Sequence, residues 1–259
     1  MSNFKTYGSS PFKIIVVHGG PGAAGEMQQV ASNLGSRIGV IEPWQTERTL
    51  EGQLAELKAV CEEAGEPPVT LVGYSWGAWL VFMLAARYPE LAKKIVLISS
   101  GPFEAKYAEN LMQNRLSRLS PGPRITFQEL LRELEQPGAE NPKALKQLGE
   151  LLAKADSYEL LPEEEGEVTV DQEIYQGVWP KAAELRKSGR LLQLGALIQC
   201  PVTAIHGDSD PHPASGVKEP LEKVVKNFKF ILLEKCGHTP WKERHAKEQF
   251  YETLDQELA

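Results

Sequence analysis

The pentapeptide Gly73-Tyr74-Ser75-Trp76-Gly77 constrains this chain more than any other stretch. Before it, Val69-Thr70-Leu71-Val72 is a short, apolar, β-branched run that suits a buried strand. After it, Ala78 to Arg87 is apolar and built largely of good helix formers. A strand, a five-residue turn and a helix leave Ser75 on a sharp bend, the arrangement of a nucleophile elbow. Large side chains at Gly73 and Gly77 would clash where strand and helix pass close to that bend. G-x-S-x-G alone recurs by chance; the strand-turn-helix context gives it weight.

The rest of the chain alternates in the same way. Phe12 to Val17 predicts a strand that ends in His18-Gly19-Gly20-Pro21-Gly22. A glycine-rich loop after a strand exposes backbone N–H groups, and acyl transfer needs such donors at the oxygen that becomes negative. Gly20 N–H, paired with Trp76 N–H, is the candidate oxyanion hole. An ordinary Gly-Pro turn is the alternative. His18 sits on the oxyanion side and reads as a loop-ordering residue rather than a base. Ala24 to Arg37 predicts a helix and Ile38 to Glu42 a second core strand. Thr49 to Glu63 carries Leu50, Leu54, Leu57 and Val60 or Cys61 at helical spacing, ended by Gly65 and Pro67-Pro68. Lys94 to Ser99 is another buried strand. Strand and helix in alternation predict an α/β fold, a mostly parallel sheet with helices on both faces.

The pattern changes at Gly101-Pro102. From there to Gln199 the sequence is helical and charged, with helices expected at Phe127 to Glu135, Pro142 to Lys154 and Pro180 to Lys187. Residues 101–199 hold 16 Asp or Glu against 12 Lys or Arg, so they carry −4 of the chain's formal −7. Residues 102–198 read as a helical lid inserted into a core made of 1–101 and 199–259. The Glu163-Glu164-Glu165 run with Glu167 reads as a solvated lid surface. The sharper alternative is an acidic rim for a cationic substrate group. Tyr175 and Trp179 could line the pocket or pack within the lid. The core resumes with a strand at Pro201 to His206, then Gly207-Asp208-Ser209-Asp210-Pro211-His212-Pro213. A last strand at Phe228 to Leu233 precedes Cys236-Gly237-His238-Thr239-Pro240-Trp241. A helix over Lys242 to Glu257 follows.

A serine hydroxyl needs a base to take its proton, and the base needs an acid to fix its tautomer. The candidates fall in the order Ser75, Asp210, His238, with acid and base each just after a predicted strand. Asp208 competes with Asp210 as the acid, and His206 or His212 with His238 as the base. His245 reads as a surface residue of the terminal helix. His206, Asp208, Asp210 and His212 alternate as H-x-D-x-D-x-H, a spacing that could gather metal ligands. The serine reading needs no metal and no cofactor.

The net charge of −7 disfavours nucleic acid and anionic membrane as partners, since both require a basic face. The longest apolar run, Ala78 to Ala86, is too short to span a bilayer, and Met1 to Ser10 has no apolar signal core. Cys61, Cys200 and Cys236 are odd in number and widely spaced, so a reduced, cytoplasmic protein with no disulfide framework is expected.

Four segments together, HGGPG at 18–22, GYSWG at 73–77, GDSDPHP at 207–213 and GHTPW at 237–241, give the chain a resemblance to the α/β-hydrolase superfamily over nearly its whole length. HGGPG and the S-W-G elbow resemble proline iminopeptidases. In that family the second glycine of HGGPG and the residue after the serine form the oxyanion hole, which here implies Gly20 and Trp76. The family's D-x-R-G segment after the second core strand is replaced by Ile41-Glu42-Pro43-Trp44-Gln45-Thr46, and no lid motif for a substrate amine matches. The leading expectation is a serine hydrolase for a small-molecule ester or amide. A proline iminopeptidase-type aminopeptidase, a carbon–carbon bond hydrolase and a ligand-binding receptor on the same fold are the alternatives.

Overall fold

The computed structural model describes residues 3–134, 141–162 and 171–259. Seven strands form one sheet: β1 (Phe4–Tyr7), β2 (Phe12–Val17), β3 (Gly39–Pro43), β4 (Val69–Tyr74), β5 (Ala92–Ile98), β6 (Val202–Gly207) and β7 (Phe228–Leu233). Their order is β1-β3-β2-β4-β5-β6-β7. Only β1 runs antiparallel to its neighbour. β1 escaped the sequence reading because FKTY is short and half-exposed, so it lacks the apolar run of a central strand.

Side chains alternate across the sheet because a strand has a two-residue period. Ile15, Val17, Leu71, Ile95 and Leu97 point to one face, where α2 (Leu50–Glu63) and α3 (Trp76–Arg87) cover them. Ile14, Val16, Val72, Val96 and Ile98 point to the other, under α1 (Gln28–Gly35) and the last helix, α10 (Lys247–Leu258). α3 is buried along its whole length except at Arg87, which explains why it is apolar on every side. Thr49 caps α2 by accepting from Gly52 N–H at 3.0 Å.

Two expected helices are shorter at their starts. The helix expected from Ala24 begins only at Gln28, because Gly22 and Gly25 hold left-handed φ values of 83° and 87° in the preceding turns. The terminal helix begins at Lys247, not Lys242. Pro240–Lys242 is a separate single 3₁₀ turn, and Glu243 between them is a fully buried connector.

Between β5 and β6 the described residues form α4 (Leu111–Arg118), α5 (Pro121–Leu134), α6 (Pro142–Asp156), α7 (Gln172–Lys187), α8 (Arg190–Gln193) and, before β6, a short 3₁₀ turn. α5 starts at Pro121, earlier than expected, since prolines in a first turn forfeit no helical hydrogen bond. α7 begins at Gln172 and runs through Pro180, where a helix start was expected. Asp171 caps Glu173 N–H and Ile174 N–H, and the helix buries Ile174, Val178 and Ala182 at a spacing of four. α5 and α6 enclose a small core of their own around Phe127, Leu130 and Leu148. The Glu163 to Glu165 run and Glu167 lie outside the described residues. α9 (Ser215–Val224) links β6 to β7. No helix among the described residues is long and apolar enough to cross a membrane.

Candidate active site

Ser75 stands between β4 and α3 at φ 50° and ψ −109°, a conformation a side-chain-bearing residue seldom adopts. The two glycines make the bend possible. A Cβ on Gly73 would lie against the Gly77 and Ala78 backbone, and one on Gly77 against the carbonyls of Val17 and His18. Parallel pairing of Val17 with Gly73 brings the 18–22 loop beside the elbow.

Ser75 Oγ lies 3.1 Å from His238 Nε2, and His238 Nδ1 lies 2.7 Å from Asp210 Oδ2. Three segments remote in sequence, after β4, β6 and β7, thus meet at the carboxyl edge of the sheet, where parallel sheets gather functional loops. His238 and Asp210 are both buried. Tyr74 packs its ring 5.1 Å from that of His238 and bonds Thr239 Oγ1 at 3.0 Å.

Asp210 serves three histidines. Its Oδ1 accepts from His212 N–H at 2.8 Å and faces His212 Nδ1 at 2.9 Å, while His206 Nε2 lies 3.5 Å from Oδ2. Burial pushes the Asp210 carboxyl up. Attraction to His238, His212 and His206, with the bond from His212, outweighs burial and holds it well below the usual carboxylate range. For His238 burial acts downward, but the charge and hydrogen bond of Asp210 outweigh it and leave the imidazole above its ordinary value. Burial keeps His212 below it.

The competing assignments separate cleanly in space. Asp208 is exposed and turns away, its Oδ1 accepting from Ser209 Oγ at 2.9 Å and Cys236 N–H at 3.2 Å. His206 Nε2 bonds the His212 carbonyl at 2.9 Å, and exposed His245 pairs with Glu159 at 3.0 Å. The H-x-D-x-D-x-H pattern therefore does not converge as a four-ligand set. Asp210, His212 and His238 do bring one ligand atom each within 4.8 Å of one another. Both histidine Nδ1 atoms in that group are engaged with Asp210 oxygens, the geometry of hydrogen bonds to a carboxylate.

Trp76 is the first residue of α3, so its N–H is one of the four donors a helix leaves without a partner of its own. A Cβ on Gly20 would meet only Ala23, so that loop position is uncrowded. His18 is fully buried, with Nδ1 2.8 Å from Gly19 O and Nε2 3.0 Å from Trp44 O, and burial lowers its pKa. It ties the 18–22 loop to the end of β3. Trp179 stacks on Trp79 of the core at 5.9 Å, and Tyr175, 41% exposed, stacks on Trp179 at 6.0 Å. These aromatics pack α7 onto α3.

Sequence reasoning missed two parts of this site. His212 bonds Asp210 from two residues away, a contact the D-P-H-P spacing could have suggested. Glu243 and the Arg115–Asp156 ion pair, which surround His238, left no readable signal because their partners are backbone groups or lie 41 residues apart.

A family model described as alpha/beta hydrolase fold matches residues 14–244. The chain belongs to the alpha/beta hydrolase fold family. Among solved structures it is similar to VinJ, with 19% identity over 98% of this chain and 93% of that chain at a TM-score of 0.74. It is also similar to proline iminopeptidase from Mycobacterium smegmatis, with 18% identity over 98% of this chain and 93% of that one at a TM-score of 0.63. At those identities the likeness is one of fold. A stretch of 58 residues is 40% identical to ethanol acetyltransferase 1 of Cyberlindnera jadinii, spanning 22% of this chain and 17% of that relative's length.

Proposed function

We propose that this protein is a serine hydrolase that cleaves a small-molecule ester or amide through an acyl-enzyme. The observation that carries the reading is the unbroken series from Ser75 Oγ through His238 to Asp210, at 3.1 and 2.7 Å, on a strained elbow. Ser75 attacks the acyl carbon as His238 Nε2 takes its proton. Asp210 holds Nδ1–H and stabilises the imidazolium. The N–H groups of Gly20 and Trp76 receive the oxyanion. His238 then protonates the leaving group, and water activated by the same imidazole releases the acid.

The helices between β5 and β6 act as a lid, with Trp179 and Tyr175 lending it an aromatic lining. The substrate is a small molecule rather than nucleic acid or anionic membrane, given the net charge of −7. Three buried free cysteines fit a reducing, cytoplasmic setting. The local likeness to ethanol acetyltransferase 1 supports a second outcome for the same acyl-enzyme, discharge to an alcohol in place of water.

The test is Ser75→Ala on a panel of p-nitrophenyl acyl esters and aminoacyl p-nitroanilides, with a fluorophosphonate probe for the nucleophile. Turnover should fall by roughly 10³-fold or more and labelling should vanish, because covalent catalysis is lost while binding survives. Wild-type-like turnover in that variant refutes the mechanism. Added ethanol diverting product from acid to ethyl ester would favour the transferase outcome.

A further inference from the structure

The inserted segment after α6 is bound to the loop that carries the base. Glu243 is fully buried, and its carboxylate accepts three backbone N–H groups. Two come from the insertion, Tyr158 at 2.9 Å and Glu159 at 2.8 Å. The third, also at 2.9 Å, comes from Gly237, the residue before His238. His238 N–H itself donates to the Asp156 carbonyl at 2.7 Å. Two further backbone bonds, Leu161 N–H to Lys242 O and Arg244 N–H to Glu159 O, each 2.8 Å, extend the junction on either side of a Leu160–Glu243 bridge. Gly237 has no room for a side chain there, since a Cβ would meet the Asp156 carbonyl, Ser157 and Glu243.

From the other side, α4 grips the same segment. Arg115 makes a two-point ion pair with the Asp156 carboxylate at 2.7 and 2.6 Å, both side chains being mostly buried. Arg118 donates to the Ser209 carbonyl beside the acid.

We propose that Glu243 is a positioning residue for the base: its carboxylate clamps the inserted segment at Tyr158 and Glu159 to the backbone of Gly237, so this end of the insertion holds His238 in line with Ser75. A buried carboxylate that accepts three backbone N–H groups is a stiff joint, because each bond is charge-assisted and loss of the acceptor leaves its donors without a partner. Displacing the insertion here would break the bond from His238 N–H and unseat the imidazole. Opening motions compatible with turnover therefore leave Asp156 to Leu161 in place. The inference rests on the serine-hydrolase reading of Ser75 and His238.

The test is a double-mutant cycle on kcat with p-nitrophenyl butyrate as probe. Glu243→Gln keeps the size of the side chain but sets an amide NH₂ against backbone N–H donors. Arg115→Met frees Asp156 from α4. Since a misplacement of about 1 Å costs on the order of 10²-fold, Glu243→Gln should lower kcat about 10- to 100-fold with KM within about threefold. Arg115→Met should lower kcat about 3- to 10-fold, and the double variant should be little worse than Glu243→Gln, because both release one segment. Melting temperatures are measured alongside. A lowered melting temperature with wild-type kcat, a loss confined to KM, or fully additive losses would each overturn the proposal. Should Glu243→Gln fail to fold, Arg115→Met decides alone: reduced kcat supports the clamp and wild-type kcat overturns it. Turnover surviving in Ser75→Ala would instead overturn the reading beneath.

Discussion

Replacing Asp210 by Asn tests the proposed acid more sharply here than a simple loss of charge. Two donors of His212, its backbone N–H at 2.8 Å and its Nδ1 at 2.9 Å, converge on Oδ1. An Asn amide at this position must turn its oxygen toward them. Its NH₂ then faces His238 Nδ1, 2.7 Å away in the native arrangement. His238 has to accept on Nδ1 and carry its proton on Nε2, against Ser75 Oγ, where it cannot take another. Turning the amide round would set NH₂ against two donors, at about 1–3 kcal/mol for each group left unpaired. For two donors the bias is about 2–6 kcal/mol, which predicts a fall in kcat/KM of about 30- to 10⁴-fold. The assay is p-nitrophenyl butyrate hydrolysis from about pH 5 to 9. Asp210 is what holds His238 above the ordinary imidazole value, against burial and Arg115, with Asp156 helping. Its loss should therefore move the acid limb of kcat/KM to lower pH. Adding His212→Phe removes one of the two orienting donors, worth about 1 kcal/mol, and should recover about fivefold. Retention of more than about a tenth of wild-type turnover in Asp210→Asn, or an acid limb that stays put, would refute this reasoning.

Two other predictions concern metal and acid stability. Activity should survive dialysis against a chelator; loss on chelation with recovery on adding zinc would show that Asp210, His212 and His238 act as ligands. Glu257 is pushed up by burial but held at about 2 by bonds from Lys229, Lys94 and Thr203, which tie α10 to β5, β6 and β7. A depressed folded-state value stabilises above the ordinary carboxylate range and ceases to as pH falls through about 2. Glu257→Gln should therefore lower the melting temperature near neutral pH, and the gap should close between about pH 4.5 and 2; a gap that stays constant on acidification would contradict it.

The elbow was legible because it is local. Gly73 and Gly77 are needed by the backbone bend itself, and the flanking runs carry their own strand and helix propensities. The central strands were legible for a related reason. Burial on both faces makes them continuous apolar runs, whereas β1, half-exposed at an edge, carries no such mark. Helix ends were read less well. Gly22 and Gly25 delay α1 by adopting left-handed turns that the sequence permits without requiring.

Sequence order alone supplied Ser75, Asp210 and His238 as candidates, since each follows a strand. It favoured Asp210 over Asp208, although the two share loop, residue type and neighbourhood. Tertiary structure separates them in space, because the turn after β6 aims the Asp210 carboxylate at His238 and the Asp208 carboxylate at Cys236 N–H. The clamp at Glu243 was wholly a tertiary decision. Its partners are backbone N–H groups of Tyr158, Glu159 and Gly237, and every residue but proline offers such a donor, so nothing in the side-chain sequence records the contact. What the chain determines locally is the strained bend and the apolar runs. Which polar groups meet across the sheet edge depends on the packing of segments far apart in sequence.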